Sequence, residues 1–395
     1  MVSTDLTQIL TYNKIASEGL EKFPSSLYEV DQSLREPSAI LLRSHKLSHE
    51  DIPKSVIAIA RAGAGVNNIP VDWCTKNGIP VFNTPGANAN AVKELVAAGL
   101  LLGARGIIEG AIFTTTLSRI KDRAVLSKKL EESKVNFKGE ELVGKTLGVV
   151  GLGAIGSLVA EMALTFGMNV IGYDPAISVE AAWRLSSKVK RSNKISNLFA
   201  KSDYVTLHLP AIDTTRHIIN QDLLAHCKKG LCLLNFSRSE IVDPLAIQSA
   251  LDSGVVGKYI SDFPEPALLE RKDTIFLPHI GASTKEAEAN CAIMAANQLR
   301  DFIETGCIAN SVNFPNVNLE HVSGCRIAIT NENVPKILGG VLSVFANENI
   351  NVIDMLNKSR DSLAYNLIDL DRPPTASSLD QIKLLEGISN VRVVY

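Results

Sequence analysis

Short apolar runs alternate with stretches of helical patterning along most of the chain. Ser38–Ser44 (SAILLRS), Val56–Gly63 (VIAIARAG) and Pro80–Pro85 (PVFNTP) read as strands, with helical segments and polar turns between them. That βαβ rhythm predicts a parallel sheet. A long helix rich in alanine and leucine is expected from about Asn88 through KELVAAGLLLGAR, suited to burial against another helix or another subunit. A second α/β block spans Thr146 to about Ser283, with strands in TLGVVG, NVIGYD, YVTLHL, LCLLNF, KYISDF and TIFLPH. A helix of mixed polarity is expected over Thr284–Thr305, and the turn-rich Asn310–Asn318 (NSVNFPNVN) reads as a linker. After it the order becomes strand, helix, strand, strand, helix, strand, a ferredoxin-like βαββαβ unit. The expected fold is therefore α/β: a flavodoxin-like domain (1–92 with 284–318), a Rossmann domain (93–283), and a small α+β domain at 323–395.

Composition narrows the function classes. The chain has 395 residues, 46% hydrophobic and 21% charged, with a formal net charge of −2. No basic field argues for nucleic acid as a partner. The basic stretch Arg184–Lys194 (RLSSKVKRSNK) reads as a solvated face. MVSTDLTQILTYNK lacks the charged and apolar regions of a signal peptide. The most apolar stretch, Leu147–Tyr173, is broken by glycines and Glu161, so no membrane partner is expected. Six scattered cysteines with no C-x-x-C pair suggest reduced core residues, no metal site and a cytoplasmic location.

The strongest chemical signal is Gly151-Leu152-Gly153-Ala154-Ile155-Gly156, which follows an apolar strand and opens a helix. Asp174 ends the next strand. This context marks a dinucleotide site. Gly151 permits a tight turn, Gly153 lets the backbone approach a pyrophosphate, and Gly156 lets helix and strand pack closely. The helix N-terminus offers unpaired amides to phosphate. Asp174 suits ribose hydroxyls and repels a 2′-phosphate, which favours NAD over NADP.

Arg238, in "NFSRSEIVD", follows a strand of the same block, and His279, in "LPHIGAST", follows the last one. Ligands of such sheets bind beyond the carboxyl ends of the strands. An arginine fork holds a carboxylate bidentately. A histidine titrates near neutrality and suits proton transfer. Glu265, in "DFPEP", is a carboxylate available to orient it. Together with a hydride carrier, this set suits interconversion of a hydroxy acid and a keto acid. Arg43 and Arg61 fall at or near strand ends in the first block, where two arginines suit a phosphate.

The ordered set "LLRSHK", "RAGAGVNNI", "FNTPGANANAVKEL", "GLGAIG", "NFSRSEIVD", "DFPEP" and "PHIGAST" resembles the D-2-hydroxyacid dehydrogenases of the D-3-phosphoglycerate dehydrogenase type, over essentially the whole chain. The C-terminal block is similar to the ACT domain of those enzymes. The resemblance implies NAD-dependent oxidation of 3-phospho-D-glycerate in serine synthesis. It implies Arg238 at the substrate carboxylate, His279 as acid/base and Glu265 as its partner, with Asp262 the nearest substitute. Gly151, Gly153, Ala154, Ile155, Gly156, Asp174, His208, Pro210, Asn235, Ser237, Asp262 and Gly281 would border the cofactor. Arg43, Arg61 and Asn88 would serve the substrate, with Lys46 and a partner subunit's lysine at position 134 as further candidates.

Departures bear on regulation. Serine-inhibited members carry a His-x-Asn-x-Pro-Gly turn, whereas Asn331-Glu332-Asn333-Val334-Pro335-Lys336 stands here. Asn333 and Asn351 keep the amide groups an L-serine effector would need, and the alternative is an oligomerisation module in a homodimer or homotetramer. A dehydrogenase for another D-2-hydroxy acid, or a non-catalytic NAD-sensing protein like the corepressors on this scaffold, are the rival readings.

Overall fold

A computed structural model of the chain describes residues 6–320 and 323–395, without the side chains of Glu180 and Arg184. The readings of residues 1–5 as part of a leaderless start, and of Arg184 within the basic stretch, lie outside the described residues. Lys188, Lys190, Arg191 and Lys194 are exposed.

Contacts divide the chain into two compact units, Met1–Asn88 with Lys285–Tyr395, and Ala89–Thr284. In the first, β1 (Thr7–Thr11), β2 (Tyr28–Asp31), β3 (Ala39–Leu42), β4 (Ala58–Arg61) and β5 (Val81–Phe82) form a sheet in the order β2-β1-β3-β4-β5. Every pairing is parallel, which is the flavodoxin-like order. β3 is buried at every position, as its unbroken apolar run requires in a sheet covered on both faces. β1 and β2 escape the hydrophobic pattern because TQILT and YEVD each carry only two or three apolar residues.

The second unit holds β6 (Thr146–Val150), β7 (Asn169–Tyr173), β8 (Lys190–Arg191), β9 (Tyr204–Leu207), β10 (Leu231–Asn235), β11 (Val256–Ser261) and β12 (Thr274–Phe276). Their order is β12-β11-β10-β9-β6-β7-β8, a doubly wound parallel sheet. One core packs helices Ala89–Ala104 and Ala154–Thr165 on the sheet, and the other packs Ile195–Lys201 and Pro244–Asp252.

β13 (Cys325–Glu332), β14 (Val352–Arg360), β15 (Leu363–Leu370) and β16 (Ile388–Val393) make an antiparallel sheet in the order β14-β15-β13-β16. This ferredoxin-like sheet shares a core with the first unit: Ala328, Leu363, Tyr365 and Leu367 pack in one cluster with Ala292, Ala295, Leu299 and Phe302 of the Lys285–Thr305 helix. Small residues let that helix lie close to its neighbours. A Cβ on Gly19 would sit 2.5 Å from the Ala292 Cβ. At the core's polar seam, Arg326 and Asp369 form a fully buried bidentate pair at 2.6 and 2.7 Å. The expected α/β class with a separate antiparallel sheet is the observed one.

Candidate active site

Register assembles the second unit's site. Val150 of β6 lies opposite Tyr173 of β7 and Leu207 of β9, and Asn235 of β10 lies opposite Leu207 and Ser261 of β11. The residues one step beyond these strands are Gly151, Asp174, His208, Phe236 and Asp262, so they stand along one carboxyl edge. Because parallel strands all end on the same side, distant sequence segments meet there.

The glycines of the turn differ in what they need. Gly151 has φ +89°, and a Cβ there would lie 2.5 Å from the carbonyl oxygen of His208. A Cβ on Gly156 would lie 1.9 Å from the Gly151 carbonyl oxygen. Gly153 caps the Ala154–Thr165 helix in an extended conformation, and no described atom lies within 4 Å of where its Cβ would be. The first and third glycines are thus required by the fold. The second leaves room at a helix N-terminus, where a pyrophosphate would be held by amides. Ala154 opens the helix and Ile155 packs partly into the core. Asp174 accepts from the amides of Leu152 (2.8 Å) and Ala176 (2.9 Å), which fixes its carboxylate beside the turn.

Two buried polar atoms here lack a hydrogen-bond partner among the described residues: His208 Nδ1 and Asp262 Oδ1. His208 Nε2 lies 3.0 Å from the Thr206 hydroxyl, and burial pushes the imidazole down to about 3, so it is neutral. An unpaired acceptor at Asp262 and an unpaired ring nitrogen at His208 suit a polar cofactor, and with the open Gly153 they make a set that fits NAD. Pro210 is exposed, and its carbonyl accepts from Thr215 Oγ1 at 2.5 Å.

Asp262 organises the carboxyl edge around His279. Its main-chain oxygen accepts the His279 amide at 3.0 Å, and its Oδ2 accepts the Gly281 amide at 3.1 Å. Burial raises its carboxyl, while the Gly281 amide and the charges of His279 and Arg238 act the other way. His279 is held with φ +51°, an uncommon conformation for a non-glycine residue that the Asp262 bond helps to impose. Its exposed imidazole leans on the Phe263 ring at 4.8 Å between centroids. No hydrogen bond or ion pair joins it to Glu265 among the described residues. The expected carboxylate–imidazole contact is therefore absent from this conformation, and the residue tied to the His279 backbone is Asp262.

Arg238 is half-buried and donates through Nη1 to the Ser237 carbonyl at 2.6 Å. Asn235 shapes its turn. The Asn235 amide donates to the Arg238 carbonyl at 2.9 Å, and its Oδ1 accepts from the Ser237 amide (3.2 Å) and hydroxyl (3.0 Å). Arg238 thus stands at the same carboxyl edge as the residues expected at a dinucleotide site.

In the first unit, Leu42 and Arg61 pair in register, so Arg43 and Arg61 share the carboxyl edge of that sheet. They do different jobs there. Arg61 Nε donates to the Arg43 carbonyl at 2.9 Å, whereas Arg43 Nη2 forms an ion pair with Glu288 at 2.8 Å. Asn88 is half-buried just before the Ala89–Ala104 helix. Lys46 is exposed, and Lys134 pairs with Glu131 on its own chain. Asn333 Nδ2 donates to the Asp361 carbonyl at 3.2 Å, and the main-chain N–H of Asn351 donates to Asp371 Oδ1 at 3.1 Å. Sequence reading missed Glu288, Asn13, Phe263 and Thr206; Phe263 lies within the quoted DFPEP stretch but carries no polar group to mark it, and the other three lie outside the quoted motifs. Among the described residues no group of three or more His, Cys, Asp or Glu could hold a metal, and no single helix is long and apolar enough to cross a membrane.

Residues 113–281 match the family described as D-isomer specific 2-hydroxyacid dehydrogenase, NAD binding domain. A D-3-phosphoglycerate dehydrogenase of Escherichia coli K12 is 31% identical over 383 residues, covering 93% of this chain and 89% of that protein. The chain belongs to the D-isomer-specific 2-hydroxyacid dehydrogenases. A D-3-phosphoglycerate dehydrogenase of Methanocaldococcus jannaschii is 32% identical over 372 residues, covering 92% of this dehydrogenase and 67% of its relative. Among solved structures, NAD-bound 3-phosphoglycerate dehydrogenase of Entamoeba histolytica aligns with TM-score 0.61 and 26% identity, over 78% of this chain and 99% of that one. A glyoxylate reductase from Paecilomyes thermophila aligns with TM-score 0.64 and 29% identity, over 78% and 98%. The dehydrogenase is thus an NAD-dependent oxidoreductase.

Proposed function

We propose that this dehydrogenase oxidises 3-phospho-D-glycerate to 3-phosphohydroxypyruvate, the first step of L-serine biosynthesis, as a cytoplasmic homo-oligomer. The observation that carries the reading is the similarity to D-3-phosphoglycerate dehydrogenases across more than nine-tenths of the chain. Arg43, at the carboxyl edge of the first sheet, is the candidate phosphate ligand.

Bound NAD supplies the hydride acceptor. Arg238 holds the substrate carboxylate and the oxygen on C2, polarising it. His279 takes the hydroxyl proton in the oxidative direction and returns it in the reductive one. Asp262 holds the His279 backbone in place. Glu265, in the same loop, orients the imidazole once substrate is bound. Arg61, tied to the Arg43 carbonyl, shapes the loop more than it meets the substrate. Exposed apolar residues Ile107, Ile112, Val125 and Val135 support a second copy of the chain as the partner of that segment. Asn333 and Asn351 are the candidate contacts for an L-serine effector.

The test follows NADH oxidation with 3-phosphohydroxypyruvate beside hydroxypyruvate, pyruvate and 2-oxoglutarate. A strong preference for the phosphorylated acid supports the reading. Equal or better turnover of an unphosphorylated acid overturns it and moves the enzyme to the second reading, another D-2-hydroxy acid, which the fold match to a glyoxylate reductase favours. Adding L-serine to the same assay tests control: no inhibition assigns the C-terminal sheet to assembly alone.

A further inference from the structure

Five side-chain bonds to main-chain groups, four from two asparagines and one from Arg61, fix the loop after β3. Asn13 Oδ1 accepts the Ser44 and His45 amides at 3.1 and 2.6 Å. Asn68 Nδ2 donates to the carbonyls of Arg43 (3.2 Å) and His45 (2.6 Å), and Arg61 Nε donates to the Arg43 carbonyl. The Arg43 backbone is therefore set, while its side chain is long and about 40% exposed. The group that steers the guanidinium is Glu288, whose Oε1 lies 2.8 Å from Nη2.

Glu288 sits in the first turn of the Lys285–Thr305 helix, where the helix dipole favours a carboxylate. Cys291, one turn further on, is buried and feels the charges of Arg43, Arg61 and Glu288, so this face of the helix lies against the arginine loop. The other end of the helix, roughly 25 Å away, is clamped by the C-terminal sheet. Arg392 donates to the carbonyls of Phe302 (2.7 Å) and Ile303 (2.9 Å) and lies over the Phe302 ring. Arg326 donates to the Thr305 carbonyl at 3.2 Å, and the Tyr365 hydroxyl to the Gly306 carbonyl at 2.7 Å. The carbonyls a helix leaves unpaired at its C-terminus are thus satisfied from another sheet. The helix is pinned, and its first turn presents a carboxylate at a fixed place.

We infer that Glu288 is a positioning residue: it holds the Arg43 guanidinium ready for the anionic tail of the substrate. The single contact through Nη2 leaves other N–H donors of the guanidinium for a phosphate. Holding the side chain beforehand lowers the ordering cost of binding. The inference rests on the proposed phosphate role of Arg43.

The experiment compares wild type, Glu288→Ala, Glu288→Gln and Arg43→Ala with 3-phosphohydroxypyruvate and hydroxypyruvate. Glu288→Ala should raise KM for the phosphorylated acid about three- to tenfold, the size expected for ordering one long side chain. Its kcat, and the KM for hydroxypyruvate, should change little. Glu288→Gln should restore most of the loss, since its amide oxygen accepts the same bond. A lower KM in either Glu288 variant would show the carboxylate to be a competitor of phosphate and overturn the inference. So would an unchanged KM in Glu288→Ala, or equal losses on both acids in that variant. If Glu288→Ala fails to fold, Glu288→Leu, which keeps the bulk but accepts no bond, decides in its place: a positioning role predicts the same rise of about three- to tenfold in KM for the phosphorylated acid alone, and an unchanged or lower KM overturns it. Failure of the phosphate reading looks different: wild type itself would show no preference between the acids, and Arg43→Ala would create none.

Discussion

Alanine at each glycine of the dinucleotide turn should separate fold from function. At Gly151 the residue must keep φ +89° and its Cβ would lie 2.5 Å from a carbonyl oxygen. The left-handed backbone alone costs about 1–2 kcal/mol, and relieving the clash adds about 1–3 kcal/mol. At Gly156 the Cβ would lie 1.9 Å from the Gly151 oxygen, so helix and strand must part. That costs at least about 1–3 kcal/mol. At Gly153 the backbone is extended and the space is open. The smaller entropy of the unfolded chain is worth about 0.4–1 kcal/mol, and the poorer helix cap costs a similar amount, so the net change should lie within about 0.5 kcal/mol. Yet the new methyl stands where the backbone must admit the cofactor, so NAD affinity should fall about 10- to 100-fold, or about 1.4–2.8 kcal/mol. Urea unfolding without cofactor gives the stabilities, and NADH fluorescence titration gives the affinity. Normal NADH binding by Gly153→Ala would refute the assignment of the open space to the pyrophosphate. A large loss of stability there would refute the claim that only the outer two glycines serve the fold.

His208 is neutral in the folded state down to about pH 3, while the unfolded chain takes up a proton near pH 6.5. Its contribution is therefore complete above pH 6.5 and is lost as pH falls below it, so a series of thermal midpoints from pH 8 to 5 should fall less steeply in His208→Gln than in wild type. Arg326→Met should strand the Asp369 carboxylate in the core and cost about 3–5 kcal/mol in urea unfolding, whereas the double change with Asp369→Leu should recover much of it. Recovery of nothing would show that the bonds from Arg326 to the Thr305 and Leu319 carbonyls, not the ion pair, carry the site. Lys336 caps a helix at φ +79°, so Lys336→Gly should remove left-handed strain and stabilise the protein by up to about 1 kcal/mol, read as a higher thermal midpoint. A drop would mean that the flexibility of glycine in the unfolded chain outweighs the strain.

What the sequence determined follows from local physics. Continuous apolar runs report strands buried on both faces, so β3, β4, β6, β9 and β10 were legible without coordinates. The glycine turn was legible because its spacing follows from the turn itself: Gly151 holds φ +89°, Gly156 would meet the Gly151 carbonyl five residues back, and Gly153 leaves a helix N-terminus open. The same physics explains the omissions. β1 and β2 bury only Ile9, Leu10 and Tyr28 as apolar side chains and the two-residue β8 buries none, which leaves weak side-chain patterns. The helices Ile107–Thr116 and Arg123–Ser133 bury little of themselves within the chain, so no clean apolar stripe marks them.

Only the tertiary structure decided how residues far apart in sequence divide the work. Arg43 and Arg61 look alike in the sequence, two arginines after two apolar strands. Parallel registration brings them to one edge, where one side chain turns to a carbonyl and the other to Glu288, 245 positions along the chain. Likewise, Asp262 and Glu265 are both carboxylates in the loop expected to serve His279, yet the fold ties Asp262 to the His279 and Gly281 amides. Chain spacing constrains which strand ends share an edge. Which side chain meets which depends on rotamers and on partners brought in from other elements, and no local pattern encodes those.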